Sequence, residues 1–231
     1  MLTIKNFKIF INTDKLIDIE HFSFQKGFLY SIFGRSGIGK STLLKGIGSL
    51  IEYQGEIFFG DTISNKNLNV REMRKKIHYV RQEPRFLSGT GLDNLKYIFK
   101  LNENRNMRFD EDLAYMFADK LNIERELFYK DVKNLSGGEK QRLSLIRSLI
   151  IQPDFILLDE PSSALDIHTE ELLIKLLHEI KREIGVIVVS HSTNFIINSD
   201  KKLLLSDKKI NFLDYEVNED LIKKIIEEHN G

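Results

Sequence analysis

A glycine-rich stretch ends in a lysine and two hydroxyl residues, which is a combination that can hold a phosphate group. It reads GRSGIGKST and matches the phosphate-binding pattern G-x-x-x-x-G-K-[S/T]. Glycine lets successive backbone N–H groups point at one phosphate, while Lys40 adds a positive charge and Ser41 offers a hydroxyl to Mg²⁺. The alternative is a glycine-rich turn that binds nothing. The predicted loop comprises Gly34, Arg35, Ser36, Gly37, Ile38, Gly39, Lys40, Ser41 and Thr42.

Two adjacent carboxylates, Asp159 and Glu160, follow an apolar run at residues 155–158. The carboxyl ends of parallel strands form the ligand crevice of open α/β sheets. We therefore expect Asp159 to hold magnesium through water and Glu160 to polarise an attacking water molecule. Taken alone, the pair could equally be a solvated acidic turn, but the phosphate-binding loop favours the site.

The segment Leu-Ser-Gly-Gly-Glu at residues 135–139 predicts the start of a helix. Ser136 and Glu139 have the spacing of a capping box. Two glycines in a first helical turn cost about 1 kcal/mol each against alanine, and a cap does not need them. A helix start that presses its backbone against a phosphate does need them. Gly137 and Gly138 therefore indicate a second anion site, one that serves another subunit.

These groups require a sheet with helices around it. Short apolar runs at 28–33, 155–158 and Gly185–Val189 are typical of buried parallel strands, and Leu2–Ile11 and 16–24 alternate like antiparallel strands. Helical spacing covers 41–47, 92–101, 111–121, 137–151 and 217–228. The prediction is an α/β protein with a mostly parallel sheet, an N-terminal antiparallel part and a helical insertion.

Composition excludes several classes of function. The 231 residues contain no cysteine, which excludes disulfide frameworks, thiol catalysis and cysteine-bound metal clusters. Lysine plus arginine and aspartate plus glutamate number 34 each, so net charge indicates no nucleic-acid partner. No apolar run resembles a signal peptide or a membrane span. We therefore expect a cytoplasmic protein.

The order of these motifs resembles that of the ATP-binding cassette (ABC) ATPases, which have a P-loop NTPase core. The resemblance covers the whole chain, and residues 135–166 are similar to compact bacterial cassettes linked with metal or iron export. It implies ATP and Mg²⁺ as cofactors, Gln82 as a ligand of magnesium and water, and His191 as a contact of the γ-phosphate. It also implies that Asp166 lies in a loop at a dimer interface and that Phe10 stacks on adenine. Phe10 could equally be a strand-face or core residue.

The family resemblance also implies how such a chain works with others. Residues 1–82 and 155–231 would form the ATP-binding core, and residues 83–154 the helical subdomain. Two chains would sandwich ATP as a homodimer and drive a transmembrane permease subunit from the cytoplasmic face. The alternative is a soluble ABC ATPase that acts on a protein assembly, in cofactor assembly or cell division. Phe86, Tyr97 and Phe99 could line a groove for a membrane partner, or form the insertion's own core.

Overall fold

The computed structural model describes residues 1–60, 63–64, 70–101, 104, 106–213 and 217–227. The strands are β1 (Leu2–Ile11), β2 (Asp14–Phe24), β3 (Leu29–Phe33), β4 (Gln54–Phe59), β5 (Ile63–Ser64), β6 (Ile77–Val80), β7 (Phe155–Asp159), β8 (Gly185–Val189), β9 (Lys201–Ser206) and β10 (Lys209–Phe212). The helices are α1 (Lys40–Ile47), α2 (Val70–Lys76), α3 (Gly91–Tyr97), α4 (Glu111–Lys120), α5 (Gly137–Leu149), α6 (Ile167–Ile180), α7 (Thr193–Ile197) and α8 (Glu219–Glu227).

The strands form two sheets, in agreement with the predicted α/β class. An antiparallel sheet has the order β2-β1-β4-β5, and a mixed sheet has the order β10-β9-β3-β8-β7-β6. In the mixed sheet, the five strands from β9 to β6 are parallel, and β10 pairs antiparallel to β9. The predicted helix at residues 92–101 is shorter than expected, because α3 gives way to a 3₁₀ turn at Ile98–Lys100. Residue 228 of the predicted last helix lies outside the described residues.

Both faces of the parallel sheet are buried, which explains why its strands are continuous apolar runs in the sequence. Along β7, Phe155 and Leu157 pack into the core under the antiparallel sheet and α1. Ile156 and Leu158 pack on the opposite face, in the core shared with α4, α5 and α6. The sheet is therefore held from both sides, and its carboxyl edge forms a rigid platform. None of the described helices is long and apolar enough to cross a bilayer.

Candidate phosphate-binding and hydrolytic site

The carboxyl ends of four neighbouring parallel strands bring the predicted groups together. β3 ends before Gly34, β7 ends at Asp159, β8 ends two residues before His191, and β6 ends two residues before Gln82. A cavity of about 360 Å³ opens at this edge of the sheet. Its lining residues are Ser36, Gly37, Gly39, Lys40, Ser41, Thr42, Gln82, Glu160 and His191.

The glycine-rich loop leads directly into the N-terminus of α1. Gly39 has a φ of 106°, and a Cβ there would lie 2.9 Å from the side chain of Leu16 on β2, so this position requires glycine. No side chain caps α1 and its first turn holds no acidic residue. The free backbone N–H groups and the helix dipole therefore remain available to a phosphate.

Lys40 is buried at the centre of this loop. Its Nζ donates hydrogen bonds to the backbone oxygens of Gly34 and Arg35, both at 2.9 Å. Burial lowers the pKa of Lys40, and the neighbouring carboxylates of Glu160 and Asp159 oppose that effect. The ammonium group is thus held by the loop itself, at the place where phosphate oxygens would enter.

Asp159 is buried at the end of β7 and accepts two short hydrogen bonds. The hydroxyl of Ser41 donates to one carboxylate oxygen and the hydroxyl of Tyr79 donates to the other, both at 2.7 Å. Burial raises the pKa of Tyr79, so its hydroxyl stays protonated and keeps donating. Sequence reasoning missed Tyr79. Its position beside β7 depends on the pairing of β6 with β7, where Tyr79 lies opposite Leu157, and no pattern near residue 79 predicts that pairing.

These oxygen groups fit a magnesium ion. Magnesium prefers hard oxygen ligands and is commonly held by one or two carboxylates together with water and substrate phosphates. Ser41, Asp159 and the amide of Gln82 offer such oxygens at one edge of the sheet. This set contains one carboxylate, and it differs from a metal site built only of histidine and acidic side chains. Among the described residues, no group of three or more histidine, aspartate or glutamate side chains could hold a metal ion.

Glu160 lies beside His191 in an unusual backbone conformation. Its φ is 48°, in the left-handed region, and its N–H donates to the backbone oxygen of Val189 at 2.9 Å. One carboxylate oxygen accepts a hydrogen bond from the backbone N–H of His191 at 3.1 Å. The other oxygen lies 3.4 Å from Nε2 of the His191 ring. The strained backbone thus directs the carboxylate into the cavity.

The two titratable side chains have opposite pKa shifts. Burial raises the pKa of Glu160 to about 7, and Asp159 adds to the rise, while the hydrogen bond from His191 and the charge of Lys40 oppose it. Burial and then the charge of Lys40 lower the pKa of His191. Near neutral pH the imidazole is therefore uncharged, and the Glu160 carboxyl is poised to accept a proton.

We expect this raised pKa to appear in the pH dependence of hydrolysis. A general base works only when deprotonated, so kcat/KM for MgATP should fall about tenfold per pH unit below a midpoint near 7. The measurement is a steady-state profile from pH 5.5 to 9. Glu160→Gln provides the control, because its residual rate should lack this acid limb. A wild-type profile flat down to pH 5.5 would contradict the assignment.

The segment at residues 136–138 does not line this cavity. The predicted capping box is present: Glu139 N–H donates to the Ser136 hydroxyl, and Ser136 N–H donates to the Glu139 carboxylate. A Cβ on Gly138 would lie 2.9 Å from the backbone oxygen of Ala164, whereas one on Gly137 would meet only the Ala164 methyl group at 3.7 Å. Gly138 therefore also has a packing role that the sequence did not reveal.

Six other predicted site residues also lie outside the cavity lining, namely Gly34, Arg35 and Ile38 of the loop, Asp159, Asp166 and Phe10. Asp166 caps α6, where its carboxylate accepts from the backbone N–H and the hydroxyl of Thr169. Phe10 is 40% exposed near the end of β1 and pairs with Lys15 in the β1–β2 hairpin. Leu16, the next residue, touches Gly39 of the phosphate loop. The exposed ring of Phe10 thus sits on the hairpin that packs against the loop.

The aromatic residues of the helical insertion divide between the two predicted roles. Phe86 and Phe99 are partly buried and pack against the core that α4, α5 and α6 share with the sheet. Tyr97 is 44% exposed and lines a cavity of about 250 Å³ together with Arg81 and Arg147. Of these three aromatic residues, only Tyr97 lines an open groove. This groove lies beside β6, the strand that leads to Gln82.

Comparison with known proteins shows the family of this chain. Residues 17–163, more than half of the chain, match the family described as ABC transporter. The probable iron export ATP-binding protein FetA of Escherichia coli K12 is 34% identical over 209 residues, covering 89% of this chain and 91% of FetA. The phosphate import ATP-binding protein PstB of Colwellia psychrerythraea is 32% identical, covering 83% of this chain and 72% of PstB.

Solved structures show the same fold. A dimeric ATP-binding cassette, MJ0796, bound to ADP and inorganic phosphate in a post-hydrolysis state, has a TM-score of 0.76 and 28% identity. The match covers 91% of this chain and 97% of that chain. The ATP-bound structure of a bacterial Atm1-family exporter has a TM-score of 0.78 at 22% identity, covering 91% of this chain and 38% of the exporter.

Proposed function

This chain belongs to the ABC transporter family, and on that premise we propose that the cavity at the carboxyl edge of the sheet is its ATP-hydrolysing site. The protein is an ABC ATPase that energises transport. The observation that carries the site assignment is the position of Glu160, whose carboxylate lines the same cavity as Lys40 and contacts His191. One relative is named for iron export and another for phosphate import, so we carry over only the function that they share, which is to energise transport.

In the proposed reaction, the glycine-rich loop and Lys40 hold the phosphates of ATP, and Phe10 stacks on the adenine. Ser41, Asp159 and Gln82 would hold magnesium, which would neutralise phosphate charge. Water attacks the γ-phosphorus, the bond from that phosphorus to the bridging oxygen breaks, and ADP and inorganic phosphate leave. Glu160 accepts the proton of the attacking water. The neutral His191 side chain contacts the γ-phosphate.

We further propose that each site is completed by a second copy of this chain. Ser136, Gly137 and Gly138 lie outside the cavity of their own chain, and the loop to Asp166 packs against Gly138. The capping box uses the N–H groups of Ser136 and Glu139, and the N–H groups of Gly137 and Gly138 between them would face the phosphates of the opposite chain. The dimeric cassettes among the similar structures support this arrangement.

Ser136→Arg should abolish most hydrolysis and leave ATP binding by the monomer intact. An arginine at the start of α5 would block the opposing nucleotide, so kcat should fall at least about tenfold while the Kd of a dilute monomer for MgATP stays within about twofold. Calorimetry and a phosphate-release assay measure the two quantities. Lys140→Arg, four residues along on α5, is the matched control. Loss of nucleotide binding by the monomer would contradict the two-chain site.

The proposed partner is a transmembrane permease subunit, which would hold the chain at the cytoplasmic face of a membrane. The relatives are named as ATP-binding proteins of iron export and phosphate import, which favours this partner over a soluble protein assembly. The groove beside Tyr97 and Arg81 lies between the helical insertion and β6, so a partner bound there would act close to Gln82. Affinity purification from detergent-solubilised membranes tests the proposal, which requires a polytopic membrane protein to co-elute.

A further inference from the structure

A buried amide joins the helix that follows Ser136 to the loop that carries Glu160. Gln141 lies on α5 and is 1% exposed. Its Nε2 donates a hydrogen bond to the backbone oxygen of Glu160 at 2.9 Å, and its Oε1 accepts one from the backbone N–H of Ala164 at 3.1 Å. One planar group thus satisfies both a carbonyl and an N–H of the same loop.

These hydrogen bonds hold a loop whose backbone at Glu160 is in an unfavourable conformation. Glu160 is a non-glycine residue in the left-handed region, an unfavourable conformation that persists only when its surroundings enforce it. On one side its N–H is bonded to Val189 of β8. On the other side its carbonyl accepts a hydrogen bond from Nε2 of Gln141 on α5 and, within the loop, one from the backbone N–H of Ser163 at 3.2 Å. The peptide groups flanking the Glu160 Cα are therefore held from two different elements.

We infer that Gln141 is a positioning residue for ATP hydrolysis, which fixes the backbone of Glu160 so that its carboxylate meets the attacking water. The inference rests on the proposed role of Glu160 as general base. An amide suits this position because it carries a donor and an acceptor on one group without a charge. Gly138, three residues earlier on α5, also contacts Ala164, so the helix and the loop are joined at two points.

Gln141→Met tests the inference, because methionine keeps the length of the side chain and removes both hydrogen bonds. We expect kcat to fall about 10–100-fold, since a displacement of about 1 Å at a reacting group can cost 10²-fold. KM for MgATP should stay within about twofold of the wild type, because Gln141 does not line the nucleotide cavity. A wild-type kcat would overturn the inference, as would a loss confined to KM.

Asn94→Leu is the matched control for the loss of a buried amide. Asn94 is 2% exposed, and its side chain accepts from the backbone N–H of Leu87 and donates to the backbone oxygens of Leu87 and Thr90. Its replacement should lower the melting temperature without changing kcat at a temperature where the protein is folded. An equal loss of kcat in both variants would show that general destabilisation, and not positioning, explains the effect.

A double-mutant cycle with Glu160→Gln decides whether Gln141 acts through Glu160. If it does, adding Gln141→Met to Glu160→Gln should change the residual single-turnover rate by less than about twofold, because the base is already absent. A further loss equal to that of the single Gln141 variant would overturn the inference. Gln141→Asn, which keeps the amide but is one methylene shorter, serves in the same cycle if the methionine variant does not fold.

The cycle also separates this inference from the proposed function. Full activity of the single Glu160→Gln variant would remove the base assignment itself. A slow Glu160→Gln variant beside fully active Gln141 variants would leave the base in place and reject only the positioning role.

Discussion

Glu160→Gln is expected to slow ATP hydrolysis by about 10²–10⁴-fold, the usual contribution of a general base. Glutamine keeps the shape of the side chain but cannot accept the proton of the attacking water. Binding of MgATP should survive, because Lys40 and the Ser41–Asp159 pair are untouched. Phosphate release and equilibrium binding of MgATP measure the two properties on the same preparation.

The same variant should reveal the two-chain site. Unhydrolysed ATP held between two chains cannot leave as ADP and phosphate, so it should keep the chains together. Size exclusion with light scattering should show a dimer with MgATP and a monomer with MgADP or without nucleotide. The wild type should dimerise only transiently under turnover.

Two results would contradict these assignments in different ways. Hydrolysis by Glu160→Gln at the wild-type rate would show that another group accepts the proton. An inactive variant that remains monomeric with MgATP would leave the base assignment intact and contradict the proposed homodimer of isolated chains.

Lys40→Ala should weaken MgATP binding by about 100-fold or more. A hydrogen bond to a charged group contributes about 1.5–3 kcal/mol, and Lys40 is placed to make such bonds to two phosphates. The substitution also removes the hydrogen bonds from Lys40 to the backbone oxygens of Gly34 and Arg35. Loss of affinity should therefore be accompanied by a looser loop. Isothermal calorimetry measures the affinity, and thermal unfolding checks that the variant is folded.

Lys45→Ala is the matched control for that charge. Lys45 lies in the last turn of the same helix and does not line the cavity. Its removal deletes one positive charge from α1 and should leave the Kd for MgATP within about twofold. Undiminished affinity in Lys40→Ala would contradict the assignment of the phosphate-binding loop.

Local sequence order predicted the strand ends and hence much of the site. Apolar runs that are buried on both faces mark parallel strands, and the residues just after them must reach the carboxyl edge of the sheet. These strand ends predicted that the loop before Lys40 and the pair Asp159–Glu160 lie at that edge, and the family resemblance added His191. In the structure all of these residues follow the ends of neighbouring parallel strands. The capping box at Ser136 was equally predictable, since a helix cap depends on residues three apart.

Other properties depend on groups far apart in the chain, and no local pattern encodes them. Tyr79 meets Asp159 across two strands and 80 positions, and the raised pKa of Glu160 comes mainly from burial by the assembled fold. The amide of Gln141 reaches Glu160 only because α5 packs beside the end of β7.

Residue order along the chain is thus enough to predict which chemical groups the protein has and at which ends of its strands they lie, because strand period and helix caps are short-range effects. How those groups are tuned and supported depends on contacts between distant segments. Burial, hydrogen bonds between elements and the left-handed backbone of Glu160 arise when distant segments pack and exclude water.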